Sequence, residues 1–258
     1  MFVKHVIVVA LLITSSIVNA TAPKATLKPT AWVYDAQNKE VIAGTDANIV
    51  RPIASLTKLM TAMVVLDSTD KLEEPLLIIR KVSTALPFSH YTRLELLNAM
   101  LVKSDNAAAE TLAENYPGGR TAFLLAMNDL AQELGMTNTS FDDPTGLSRN
   151  NVSTPNEVGR MLLAANSYEL IRSISTQTQT TVHVPRSRNI GLTNTNFNIL
   201  SKFKDIVVSK TGFTNPAGFC LGLVVNRGYR DVVIVVLGEP TQQKRAATVD
   251  RIMRTLYR

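Results

Sequence analysis

Cysteine is almost missing from this 258-residue chain: Cys220 stands alone, so no intramolecular disulfide can form and the core must hold the fold. It sits in the apolar run 218–225 with no histidine nearby, the setting of a small buried hydrophobe rather than of a reactive thiol. Histidine is scarce as well. Of the three, His5 lies in the first few residues, and His90 and His183 have neither a Ser-His-Asp context nor metal-ligand spacing, so a histidine triad and a metal site are not expected. No glycine-rich phosphate loop is present and no cofactor is implied. Internal repeats, low-complexity stretches and Pro/Gly/Ser linkers are absent too, which predicts one compact unit. The formal charge of +6 comes from dispersed cations rather than a basic run with interleaved aromatics, which argues against nucleic acid as a partner. Such a surface would still attract anionic wall polymers or lipid headgroups.

Long hydrophobic runs are lacking. The apolar stretch 6–13 follows Met1-Phe2-Val3-Lys4-His5 and precedes the small residues of 14–20. It is well short of the roughly 20 residues that span a bilayer. A cationic start, a short apolar middle and small residues ending in Ala20 predict a secretory signal peptide at 1–20, with cleavage after Ala20, or after Ala22 as second choice. Residues 21–258 would then form a single exported domain without a transmembrane segment. The later apolar runs 218–225 and 231–237 are separated by 226–230 and read as buried strands.

Periodicity divides the rest. Short apolar runs at 31–34 and 40–43 flank a polar turn and predict a hairpin. Helical spacing dominates 56–66, 92–101, 106–115, 120–134 and 155–166. β-Branched and aromatic residues return from 178, with strands expected at 206–210, 218–225 and 231–237, the last two joined by a turn at 226–229. Ala246, Val249, Ile252, Met253 and Leu256 then recur at helical spacing among Lys244, Arg245, Arg251 and Arg254, as in a helix packed on a sheet. Strands at both ends with helices between imply an α+β fold: a five-stranded antiparallel sheet flanked by helices, with a mostly helical insert closing one face.

Three short motifs could carry chemistry: Ser55-Leu56-Thr57-Lys58, Ser104-Asp105-Asn106 and Lys210-Thr211-Gly212. Singly they are weak, since Ser-x-x-Lys recurs at Ser201 and Lys204 and Ser-x-Asn at Ser148 and Asn150. Ser55, however, opens the clearest helix, after Pro52. Three residues apart on a helix, Ser55 and Lys58 share a face. A serine hydroxyl needs a base to take its proton, and lysine serves only when burial or neighbouring cations keep it neutral. Ile53, Leu56, Leu59 and Met60 could bury Lys58, and Lys210 could supply the neighbouring charge. Ser104-Asp105-Asn106 falls between two helical patterns, where Ser104 could relay a proton and Asn106 bind a substrate amide; either Ser104 or Asp105 could also cap the helix that follows. Lys210 and Thr211 end an expected edge strand and could hold a carboxylate, while Gly212 lets a backbone approach. If that strand runs beside the helix start, the N–H groups of Ser55 and Phe213 are natural oxyanion donors.

This motif set resembles that of the penicillin-binding proteins and class A β-lactamases. Across nearly the whole of 21–258 the chain is similar to low-molecular-mass penicillin-binding proteins of the D-alanyl-D-alanine carboxypeptidase family. Tyr116-Pro117-Gly118-Gly119 and Asp142-Asp143-Pro144-Thr145-Gly146-Leu147-Ser148 bring it nearest the D-alanyl-D-alanine endopeptidase branch. The resemblance implies a β-lactamase/transpeptidase-like fold and a periplasmic serine peptidase acting on peptidoglycan stem peptides or crosslinks through an acyl-enzyme. Lys58 would be its base, Ser104 its relay, and Lys210 with Thr211 its carboxylate clamp; β-lactam antibiotics would acylate Ser55 as covalent inhibitors. The second, β-rich domain and amphipathic tail of many such carboxypeptidases are not expected, which suggests a soluble or loosely attached enzyme. Carboxypeptidase action on terminal D-alanine is the nearest alternative. A class A β-lactamase would need a deacylating glutamate between the second and third motifs; the tempting Glu95 precedes the second, which leaves a poorly placed acid such as Asp142 or Asp143. A non-catalytic penicillin-sensing module would be favoured by a lost motif residue, and none is lost.

Overall fold

The computed structural model describes residues 28–44, 46–79, 82–184 and 189–257; the predicted signal peptide lies outside them. Strands β1 (Thr30–Asp35) and β2 (Glu40–Gly44) form the expected hairpin. Asp35 organises its turn: its carboxylate accepts from the backbone N–H groups of Gln37 and Asn38 and, fully buried, pairs with Arg230 at 2.6 Å.

The middle of the chain contains β3 (Arg51–Pro52), a 3-10 turn at Ala54–Leu56, α1 (Thr57–Ser68), β4 (Pro75–Leu77), β5 (His90–Thr92), α2 (Arg93–Val102), α3 (Asn106–Glu114), α4 (Gly119–Glu133), β6 (Val152–Ser153), α5 (Pro155–Asn166) and α6 (Glu169–Ser175). After β7 (Gln179–Val182), β8 (Ile190–Thr193) and α7 (Phe197–Lys202) come the long strands β9 (Ile206–Thr214), β10 (Gly218–Asn226) and β11 (Asp231–Glu239), then α8 (Gln242–Leu256).

Local chemistry explains where the helices start. Thr92 and Glu95 form a reciprocal capping box at α2, Asp105 accepts from the Ala108 N–H at α3, and Thr154 precedes Pro155 at the first position of α5. Each satisfies backbone donors that a helix leaves unpaired.

β1 and β2 join the three long strands in one five-stranded antiparallel sheet in the order β2-β1-β11-β10-β9, as the sequence predicts. Both faces of its centre are covered, so β10 and β11 read as near-continuous apolar runs rather than alternating ones. Val33, Leu221, Leu223, Ile234 and Val236 pack with Val249 and Met253 of α8. Trp32, Val224, Val233 and Val235 join the larger core, with Val158 and Leu162 of α5 and most of the helical insert. Each such fully buried aliphatic side chain contributes about 1.5–3 kcal/mol.

The differences from the sequence reading are short elements. α6 and α7 and the three two-stranded ribbons β3-β6, β4-β5 and β7-β8 are too brief to show a period. Pro52, read as preceding a helix start, lies in β3 opposite Val152, a partner a hundred residues away.

Candidate active site

Ser55 sits on the 3-10 turn, not on α1 itself, and Ala54 just before it has a left-handed φ of 48°. Two contacts hold this turn. On one side Gly212 of β9 lies so close that a Cβ there would stand 3.0 Å from the Ser55 nitrogen. The edge strand therefore does run beside Ser55, and glycine is what permits it. On the other side a Cβ on Gly146, itself at φ +83°, would meet the Ala54 carbonyl oxygen at 2.0 Å. Gly146→Ala is expected to cost about 3 kcal/mol, from left-handed backbone strain and a clash that backbone cannot yield to, read as a lower denaturant midpoint with slower Ser55 acylation.

Lys58 is fully buried, and its Nζ has three neighbours: Ser55 Oγ at 3.1 Å, Asn106 Oδ1 at 2.8 Å and the Thr145 carbonyl oxygen at 2.6 Å. The two carbonyls can only accept, so they take two N–H bonds. A neutral amine has two N–H groups and one lone pair. With both N–H groups engaged, the lone pair is left for the Ser55 hydroxyl, the arrangement a general base requires. Burial lowers the Lys58 pKa to about 7, against the opposing pull of Asp143, Asp105 and Glu110. The like-charge effect foreseen for Lys58 is visible on Lys210, which is held well below the usual lysine range by burial and then by Lys58 and Arg245.

Ser104 lies between α2 and α3 with a left-handed φ of 62°, and its Oγ accepts from Lys210 Nζ at 2.9 Å. Lys210 Nζ also donates to the Thr211 carbonyl. Asp105 caps α3 and with its other oxygen accepts from Thr84 Oγ1 and the Ala85 N–H, tying the neighbouring loop to the site. The Asn106 side chain was expected to meet substrate; here its oxygen faces Lys58 and its nitrogen donates to Ser83 Oγ at 2.8 Å.

A cavity of about 350 Å³ opens over these groups, lined by Ser55, Ser104, Thr211, Gly212 and Phe213 together with Thr195, Phe219, Gln242 and Arg245. All eight candidate residues therefore converge: five line the cavity, and Lys58, Asn106 and Lys210 are bonded directly behind it. Sequence reasoning missed four contributors. Thr195 shares a 2.6 Å hydrogen bond with Thr211 Oγ1. Arg245, read as one of the cations spread around a surface helix, is buried and reaches the cavity. Thr145 acts through its backbone oxygen. Asn151 bonds the Thr57 hydroxyl, the Asp143 carbonyl and the Ile53 N–H, joining the 143–148 loop to the Ser55 turn.

The acids weighed for a β-lactamase are engaged elsewhere. Asp143 accepts from the Thr145 and Gly146 N–H groups and from Ser148. Asp142 binds the side chains of Ser148 and Asn150, and Glu95 those backbone groups it holds at Thr92 and His183. The second Ser-x-x-Lys match is inert: Ser201 lies in α7 and Lys204 donates to the Leu200 carbonyl. Cys220 is buried with its thiol pushed up to about 11 by desolvation.

Comparison with known proteins agrees with this geometry. The family model described as D-alanyl-D-alanine carboxypeptidase matches residues 17–241. A D-alanyl-D-alanine endopeptidase of Pseudomonas aeruginosa is 41% identical over 235 residues, covering 88% of this chain and 76% of the relative. One from Escherichia coli is 39% identical, covering 80% and 70%. Among solved structures, ampicillin-bound penicillin-binding protein D2 from Listeria monocytogenes superposes with a TM-score of 0.79 at 30% identity, covering 89% of this chain and 97% of that one. The Streptomyces K15 DD-transpeptidase gives 0.80 at 25%, covering 87% and 94%. The chain belongs to the D-alanyl-D-alanine carboxypeptidase family and is a serine DD-peptidase.

Proposed function

We propose that Ser55 is the acylating nucleophile and Lys58 its general base, and that the enzyme acts chiefly as a DD-endopeptidase on peptidoglycan crosslinks in the periplasm, after export and cleavage near Ala20. The observation that carries the mechanism is the Lys58 amine, buried, bonded to two carbonyl oxygens and 3.1 Å from Ser55 Oγ. Ser55 Oγ attacks the carbonyl of the D-alanine on the donor side of the scissile bond as Lys58 takes its proton. The Ser55 and Phe213 N–H groups would stabilise the oxyanion. The proton taken up by Lys58 passes through Ser104, within hydrogen-bond reach of Lys210, to the departing amine as the C–N bond breaks, which returns Lys58 to its neutral form and Ser104 to its hydroxyl. Water then attacks the ester, regenerating Ser55 and releasing the acid. The carboxylate next to the scissile bond would be held by Thr211, Thr195 and Arg245 in the cavity wall, with Lys210 behind them. Asn106 serves this reading by fixing the orientation of Lys58.

The preference for crosslinks rests on the relatives: both endopeptidases named above are near 40% identical. The test is to give residues 21–258 a crosslinked muropeptide dimer and a pentapeptide monomer, with a Ser55→Ala control, and to follow products by mass spectrometry. Conversion of dimer to monomers is expected. Loss of D-alanine from the pentapeptide alone would make the enzyme a carboxypeptidase, and no change in either would overturn the catalytic reading. Amino-terminal sequencing of the exported protein is expected to start at Thr21.

A further inference from the structure

The 143–148 loop closes over the Ser55 turn, and one buried carboxylate organises it. Asp143 Oδ1 accepts from the Thr145 N–H at 2.6 Å, the Thr145 hydroxyl at 2.8 Å and the Gly146 N–H at 2.6 Å, while Oδ2 accepts from the Ser148 N–H. An asparagine offers a single acceptor oxygen, and its amide nitrogen would face the Ser148 N–H donor to donor, so a carboxylate is what satisfies the whole set. The loop backbone is pinned on both sides. The Asp142 and Asp143 N–H groups donate to Asn151 Oδ1, and the Pro144 carbonyl accepts from Thr61 Oγ1 at 2.6 Å. The Gly146 N–H and the Thr145 carbonyl belong to one planar trans peptide, so they point in opposite directions. The N–H is held by Asp143, and the oxygen therefore faces Lys58 Nζ, at 2.6 Å.

Charge acts along the same line. Among the described residues Asp143 enters no ion pair; N–H and O–H dipoles hold it, and its field reaches Lys58 and Arg120. The other charged groups facing the Lys58 amine are Asp105 and Glu110 of the α3 segment and Lys210 of β9. Glu110 is paired with Arg120 of α4 at 2.9 Å, and Asp105 is bound to its own helix and to residues 84 and 85. Asp143 is joined to the Lys58 amine through a single peptide. We propose that Asp143 is a positioning residue for acylation: it holds the 145–146 peptide so that its oxygen orients the Lys58 amine, and its negative charge favours the ammonium that forms when Lys58 takes the Ser55 proton. The proposal rests on the reading of Lys58 as general base.

The test compares Asp143→Asn, Thr145→Val and Lys58→Met with wild type by stopped-flow acylation with a chromogenic cephalosporin from pH 5 to 9, each beside a thermal melt. Asp143→Asn is expected to lower the high-pH plateau about tenfold, because a turned amine misses the hydroxyl. Its pH midpoint should move down by about one unit, because the anion that favours the ammonium is gone; relative to its own plateau, its rate at pH 6 then rises about fivefold over wild type. A purely structural role would lower the plateau and leave the midpoint in place, so an unmoved midpoint in Asp143→Asn overturns the proposal. Thr145→Val keeps the charge and loses one bond to it, and should lower the plateau about threefold with the midpoint unmoved. If Asp143→Asn melts below the assay temperature, Thr145→Val decides: a lowered plateau upholds the proposal and a wild-type plateau overturns it. Each of these outcomes is read with Lys58→Met slow. Lys58→Met acylating at the wild-type rate would remove the general base itself, and the proposal with it.

Discussion

Ser55→Ala is expected to abolish covalent labelling by penicillin and to lower DD-peptidase turnover by at least about 10⁴-fold, the scale seen when a nucleophile working as part of a unit is removed. The fold should survive, because Ser55 is only partly buried and the turn around it is held by Gly212, Gly146 and the Asn151 network rather than by its hydroxyl. Intact-mass spectrometry after penicillin treatment, with a thermal melt of the same sample, separates the two effects. A Ser55→Ala protein that still gained the mass of the antibiotic would remove Ser55 from the mechanism.

The second large effect concerns Lys58. Lys58→Met keeps most of the buried volume and removes the lone pair, and should slow penicillin acylation by about 10²–10⁴-fold, the range of general-base catalysis. In wild type the working form is the neutral amine. With a pKa of about 7, acylation should fall about tenfold per pH unit below 7 and level off above it. Stability has the same sign. The folded state holds this proton more weakly than an ordinary lysine of 10.5 does, so the unfolded chain binds more protons between those values and the unfolding free energy should rise with pH across that window. A flat acylation profile from pH 6 to 8, measured by stopped-flow with a chromogenic cephalosporin, would remove Lys58 as the base.

What was legible in the sequence was chemistry carried by side chains in short order. Ser55 and Lys58 are one turn apart, and Lys210, Thr211 and Gly212 are consecutive on a strand whose apolar run announces it. The sheet was legible for the same reason, since 218–225 and 231–237 are pure strand patterns. What could not be read depends on contacts distant in the chain. Thr145 contributes a backbone oxygen, which no residue identity reveals. Asn151 looks like any loop asparagine until the 143–148 loop folds over the Ser55 turn. Arg245 sits among basic residues on an amphipathic helix, and only the docking of α8 beside β10 turns it inward, where its Nη1 donates to the Cys220 carbonyl.

The two outer strands of the sheet are treated differently. All five residues of β2 are exposed, Val41 and Ile42 among them, but the strand is short and begins at Glu40, just after Lys39. β9 has nine residues, and an outer strand of that length would ordinarily invite a neighbouring molecule to pair with it and begin aggregation. Here the Ser55 turn packs on Gly212, and the Ser104 loop is bonded to Lys210 along the same strand. The walls that aim the chemistry thus also act as a guard rail, leaving space for one thin extended peptide but none for the edge of another folded sheet.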